Sequence, residues 1–206
     1  MLAAALAALV LPASIPADAH AIPVPPVAET RLVLAATGNE ARYRVREQLA
    51  GVDFPNDAVG VTSGITGEIV LGDDGQVISD RSKIVVDLRG LKSDKERRDG
   101  FVQRRTLETE RFPTAELVVT RITGLANPLP TSGELTLTIH GNLTVHGTTR
   151  GTTWQVTATA SPNGYRGTAK TEFTFADFEL TKPRVASVLS VDDKIGLEFD
   201  FNFERR

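Results

Sequence analysis

The sequence predicts an all-β protein whose antiparallel strands close into one barrel. Three observations carry that expectation. Apolar and polar residues alternate with period 2 along much of the chain. The clearest alternating runs, 133–146, 150–160, 164–176 and 194–205, are 11 to 14 residues long. Clusters of Gly, Pro, Asp and Asn separate them. Successive strand side chains point to opposite faces, so each run has one apolar and one wet face, the mark of an antiparallel sheet over a single core. A usual strand is about five or six residues, and an open sheet of much longer strands would leave long sticky edges. Closing the sheet removes them, and about eight tilted strands enclose an interior that is either filled or holds one small ligand.

The elements follow in chain order. Tyr43 and Val45 alternate with Arg42, Arg44 and Arg46; Ile65, Ile69 and Leu71 share one parity, and Ile84, Val86 and Leu88 another. Ser93 with Glu96 three residues on reads as a capping box opening a helical turn or two over 97–107, before Phe112-Pro113. Leu117 and Val119 begin the next strand. Leu135, Leu137, Ile139, Leu143 and Val145 then hold the odd positions against Thr and His on the even ones. Trp154, Val156 and Ala158 alternate, as do Phe173 and Phe175, and the chain closes on Ile195, Leu197, Phe199, Phe201 and Phe203. Turns are expected at 72–75, 128–133, 147–151, 161–164 and 191–194. No internal repeat is visible, so 30–206 is read as one domain.

The N-terminus reads as an address. Leu2 to Leu11 is an apolar run, too short to span a bilayer, and Ala19-His20-Ala21 is a small-x-small cleavage site. Residues 1–21 are therefore expected to be a signal peptide, without Lys or Arg before the apolar run, and 22–29 a Pro-rich leader. That places the protein in the periplasm or outside the cell. With no Cys there is neither a disulfide nor a lipid-anchoring thiol, and no stable membrane anchor is expected. A net charge of −3 leaves no excess of positive charge for nucleic acid.

Catalysis is not expected. Gly-x-Ser-x-Gly, Ser-x-x-Lys and His-Glu-x-x-His motifs are absent. His140 and His146 share the polar face of one run, about 20 Å apart at about 3.3 Å per residue, too far for one metal ion. Asp73-Asp74 and Asp192-Asp193 fall in expected turns, which favour Asp through local hydrogen bonding. No cofactor and no metal are expected.

Three stretches carry a family likeness. Residues 93–101 with Glu110-Arg111-Phe112-Pro113-Thr114-Ala115-Glu116-Leu117 look like an Arg-Asp segment followed by an aromatic-Pro-x-Ala strand start. Gly141-Asn142-Leu143-Thr144-Val145-His146-Gly147-Thr148-Thr149-Arg150 resembles a Gly-x-Leu-Thr-Ile-x-Gly-x-Thr-Arg hairpin, the most specific of the three. Phe173 to Phe178 with Val191 to Ile195 resembles a closing pair of strands. Together they resemble the YceI-like, lipocalin-like group of periplasmic polyisoprenoid-binding proteins over about residues 30–205. There are departures: Glu179 stands where a Gly commonly follows the Asp-Phe pair, and Thr37-Gly38-Asn39-Glu40-Ala41 replaces a His-Ser pair.

The resemblance implies an extended eight-stranded antiparallel lipocalin-like barrel with one short helix near residues 93–107. It also implies a hydrophobic channel that binds, carries or stores an isoprenoid-type lipid, a quinone or polyprenyl phosphate, and it extends to a homodimer. The pattern alone leaves a filled or sandwich core open, and with it a structural, adhesion or stress-related module without a lipid. The expected lining is Tyr43, Val45, Ile69, Val86, Leu117, Val119, Leu137, Ile139, Trp154, Val156, Phe173, Phe175, Leu197, Phe199 and Phe201. Arg98 and Asp99 are expected as a polar pair over the barrel end, either at the site or anchoring the helix.

Overall fold

Alternation of the predicted kind needs every strand to find partners on both edges, and the computed structural model, which describes residues 29–186 and 188–206, shows how this is met. Its strands are β1 (Thr30–Leu34), β2 (Glu40–Leu49), β3 (Asn56–Thr62), β4 (Ile65–Leu71), β5 (Lys83–Asp87), β6 (Thr114–Thr123), β7 (Gly133–Val145), β8 (Thr148–Ser161), β9 (Gly164–Thr174) and β10 (Val188–Arg205). All pairings are antiparallel, and β4 to β10 are neighbours in the order β4-β5-β6-β7-β8-β9-β10. The ring closes through β1, which pairs with β4 (Leu32↔Ile69) and with β10 (Leu34↔Phe203).

Two staves of the barrel are broken. β1 and β2 follow one another along the same edge of β10, at Leu34↔Phe203 and then Ala41↔Phe199. β3 and β4 lie opposite them in turn. Ten strands therefore make eight staves, as expected. The break between β1 and β2 keeps its hydrogen bonds through buried Asn39, whose Nδ2 donates to the Ala35 carbonyl (2.7 Å) while its Oδ1 accepts the Asn202 N–H (2.8 Å). A polar group buried there needs such partners.

One end of the barrel is plugged. Leu32, Leu71, Ala158, Ala160, Tyr165, Phe201 and Phe203 are buried together in it. The rings of Phe199, Phe201 and Phe203 succeed one another at 5.9 and 5.3 Å along β10. Tyr165 satisfies its hydroxyl by donating to the Pro130 carbonyl (2.8 Å), as a buried phenol must.

Several local expectations are corrected. The helical segment is α1 (Glu96–Phe101) followed by a π-helical turn over Val102–Thr106. The capping box does not form: Lys95 is the N-cap and makes no side-chain cap bond. Ser93 instead gives its hydroxyl and N–H to Asp99 (2.6 and 2.8 Å). The expected turn at 147–151 tightens to His146-Gly147, both at positive φ (52° and 78°), so β8 starts already at Thr148. The expected turn at 191–194 is a β-bulge inside the 18-residue β10, where register shifts between Val191 and Ile195 against β2. Asp192, Asp193 and Lys194 there stand against Arg46 alone, which explains a turn-like composition within a strand. Phe175–Phe178 is a 3-10 turn, not strand, and its Asp177 accepts from the Thr174 N–H and hydroxyl. The signal-peptide expectation and the leader up to residue 28 lie outside the described residues. Glu29 pairs with Arg81 at 2.7 Å.

Candidate functional site

The interior is filled at one end only. Toward the other end it opens into a cavity of about 640 Å³ bounded largely by carbon. β2 contributes Tyr43 and Val45, β5 Val86, β6 Leu117, β8 Trp154, and β10 Leu197 and Phe199. Phe173 from β9 and Phe175 from the 3-10 turn complete the predicted residues on its wall. The other six predicted residues point inward but lie off this wall. Ile69, Val119, Leu137, Val156 and Phe201 belong to the buried core, and Ile139 packs against it. Period 2 reports the face a side chain takes, not its height along the barrel axis. Height decides here, because the large rings of Phe201, Phe203 and Tyr165 converge at one end.

Sequence reasoning missed several wall positions. Ala41, Ala58, Thr62 and Ala115 line the cavity. Their small side chains leave the space open, and small residues give little alternation signal. Phe101 and Leu107 come from the helical segment, and Leu180 and Val185 from the 179–187 connection. The clearest missed signal is Glu47, which continues the inward parity of Tyr43 and Val45.

Glu47 and Arg98 form the polar feature of this wall. Their side chains are 8% and 13% exposed, with N–O at 2.6 Å. Arg98 also pairs with Asp94. The expected Arg98–Asp99 pair is thus replaced by Arg98 between Glu47 and Asp94, with Asp99 turned to Ser93. Burial disfavours the guanidinium charge, but the hydrogen bonds to Asp94 and Glu47 outweigh it and hold the Arg98 pKa above its ordinary value. The bridge ties α1 to β2 at the cavity wall.

Tyr43 lies flat against β3. A Cβ at Gly60 would sit 2.1 Å from the Tyr43 ring, so glycine there is what admits the phenol. Burial pushes the Tyr43 pKa up to about 12, so the group facing the cavity is the neutral phenol. Trp154 donates its indole N–H to Thr152 Oγ1 (3.0 Å), leaving only its apolar ring for the cavity.

The histidines stand elsewhere. His140 lies on β7 beside Thr153, and His146 stacks on Phe112 at 4.5 Å in the β7–β8 turn. Among the described residues no group of three His, Cys, Asp or Glu is placed to hold a metal ion, and no helix is long and apolar enough to cross a membrane.

With this geometry in hand, the family comparison is decisive: the YceI-like domain model matches residues 34–203, from the end of β1 almost to the end of β10. The chain belongs to the YceI-like family. Solved structures share the fold of this YceI-like chain at low identity. A polyisoprenoid binding domain from Saccharophagus degradans, implicated in plant cell wall breakdown, aligns with TM-score 0.62 and 16% identity, over 86% of this chain and 98% of that one. BcnA of Burkholderia cenocepacia aligns with TM-score 0.57 and 13% identity, over 79% and 94%. A YceI protein of Campylobacter jejuni aligns with TM-score 0.57 and 12% identity, over 77% and 90%. Comparison with curated protein sequences gives no match.

One backbone position is strained. Glu179 is left-handed (φ 56°) as it caps the 3-10 turn. Its N–H donates to the Ala176 carbonyl (3.2 Å), a geometry a Gly adopts without steric cost.

Proposed function

We propose that this YceI-like protein binds an isoprenoid-type lipid, a quinone or polyprenyl phosphate, in its barrel outside the cytoplasm, and carries or stores it without catalysing a reaction. The observation that carries the reading is the open apolar volume of about 640 Å³ behind a polar wall feature. It is roughly four times the ~150 Å³ cavity that takes up one benzene, enough for about four five-carbon units. Twenty carbons at about 0.8 kcal/mol each contribute about 16 kcal/mol gross, above the 4–15 kcal/mol or so that association costs. Tyr43 is neutral and Glu47 is compensated by Arg98, so neither meets a hydrocarbon as a lone charge. The family membership and the polyisoprenoid binding domain from S. degradans support the ligand class. The apolar run at 2–11 and the Ala19-His20-Ala21 site support export.

Native mass spectrometry of protein purified from its own host, followed by titration with a four-unit quinone, tests this. Trp154 is the chain's one tryptophan and stands on the cavity wall, so its fluorescence reports occupancy. Saturable quenching at one quinone per chain is expected. Protein that arrives lipid-free and ignores both quinones and polyprenyl phosphates would overturn the proposal.

A further inference from the structure

The four large apolar side chains exposed among the described residues are all at one end of the barrel. They are Val52 (45%), Phe54 (78%), Val185 (37%) and Leu189 (68%). Chance scatter would spread them over the surface, as single exposed apolar residues usually are. Here two connections gather them. Segment 49–55 joins β2 to β3, and 179–187 leads into β10; pairing of Leu49 with Val188 brings the two together. Leu49, Val52, Val185 and Val188 also line the cavity, so the patch is the rim of its mouth.

Cations surround this rim. Lys95, Arg97 and Arg98 of the helical segment line the same cavity, and Arg105, Lys182 and Arg184 meet around Phe101 in an adjoining hollow. Over segments 47–55, 92–105 and 179–190, eight Lys and Arg (92, 95, 97, 98, 104, 105, 182, 184) face six carboxylates (47, 53, 94, 96, 99, 179). Three of those six are already engaged, Glu47 and Asp94 by Arg98 and Glu179 by Arg150. The mouth therefore carries +2 in a chain whose net charge is −3. Polar separation of this kind orients a protein in the field of a negative surface.

From this rim we infer that the barrel docks mouth-down on an anionic lipid bilayer, with Phe54, Leu189, Val52 and Val185 entering the headgroup boundary and the ring of Lys and Arg meeting the acidic headgroups. Apolar side chains flanked by cations are the composition that binds such interfaces. A second copy of the chain would bring +2 against +2, whereas acidic headgroups complement it. Docked in this way, the cavity opens onto the membrane and not into water. The surface stands on its own residues, since Phe54, Leu189, Arg105 and Lys182 are not on the cavity wall.

Vesicle co-sedimentation tests it, using the purified protein and isoprenoid-free vesicles of phosphatidylcholine with or without phosphatidylglycerol. Binding is expected on the anionic vesicles and to fall several-fold from about 0.1 M to about 1 M salt, as the Debye length shrinks from about 10 to about 3 Å. Arg105→Glu with Lys182→Glu is expected to weaken it by about fivefold or more per position, on anionic vesicles only. Phe54→Ser with Leu189→Ser is expected to weaken it about tenfold at unchanged charge. Phe54→Trp is expected to gain emission that brominated lipids quench. Phe54, Leu189 and Arg105 are exposed and Lys182 is half-buried, none in the core, so circular dichroism should stay unchanged. Equal binding by wild type and both double variants overturns the inference. So does concentration-dependent dimerisation in light scattering that Phe54→Ser with Leu189→Ser abolishes without any vesicle binding; that result assigns the rim to a second copy. Quinone quenching of Trp154, measured in the same variants, separates the two proposals: it should persist where docking is lost.

Discussion

The decisive perturbation compares two leucines on the same inward face. Leu197 stands on the cavity wall, and Leu137 is buried in the plugged half beside Val156, which is 1% exposed. Leu→Ala removes three carbons, about 2.4 kcal/mol of transfer free energy at about 0.8 kcal/mol per carbon. In a packed core a void is added, bringing such changes to about 3–4 kcal/mol. Leu137→Ala should show that full cost. Leu197 already borders open volume, so its truncation creates no new enclosed void and loses fewer contacts; about 1–1.5 kcal/mol is expected. Lipid affinity should behave in reverse. Leu197→Ala should weaken quinone binding about tenfold, by about 1.4 kcal/mol, whereas Leu137→Ala should leave it nearly unchanged. Urea unfolding must use delipidated protein, because a ligand at about 100 times its Kd adds about 2.7 kcal/mol to both measurements. If Leu197→Ala costs as much as Leu137→Ala and quinone affinity is unmoved, the barrel is packed shut in solution and the carrier reasoning fails.

Three further outcomes follow from single groups. Arg98→Met strands Glu47 as a buried carboxylate and should cost about 3–5 kcal/mol, whereas Glu47→Gln leaves Arg98 with Asp94 and should cost about half as much; chemical denaturation in which Glu47→Gln proves the more damaging would contradict the assigned pairing. The Tyr43 phenol stays protonated to about pH 12 when folded, against about 10 unfolded. Between those values the unfolded chain holds fewer protons, so stability should fall as pH rises, by up to about 3 kcal/mol, and Tyr43→Phe should flatten that slope in alkaline denaturation curves. Glu179→Gly should raise stability by about 0.5–1 kcal/mol by relieving the left-handed backbone; an unchanged or lower Tm would count against strain there.

Legibility of the fold tracked the strength of alternation. β7, β8, β9 and β10 were visible because apolar side chains recur with period 2, from Leu135 to Val145 with a gap only at Gly141 and without a gap from Ile195 to Phe203. β3 was silent: its inward residues Ala58, Gly60 and Thr62 are small, since Tyr43 and the cavity occupy the space before them. The Val191 to Lys194 bulge read as a turn because bulged backbone and turns favour the same residues. The site was legible by face only. Tyr43, Leu117, Trp154 and Leu197 were placed on the inner surface correctly, and so were Ile69, Val119 and Leu137, yet only the first group borders the open volume.

What the linear chain determined by itself was an antiparallel β-structure of long strands and the parity of its greasy face, because strand geometry enforces a two-residue period that needs no distant partner to be read. What only the tertiary structure decided was where that interior is solid and where it is hollow, which carboxylate Arg98 meets, and that Phe54 and Leu189 share one rim. Those depend on strand register and on the volumes converging at each height, and residues 156 positions apart and more, as in β2 against β10 at Arg42 and Glu198, meet only once the ring has closed.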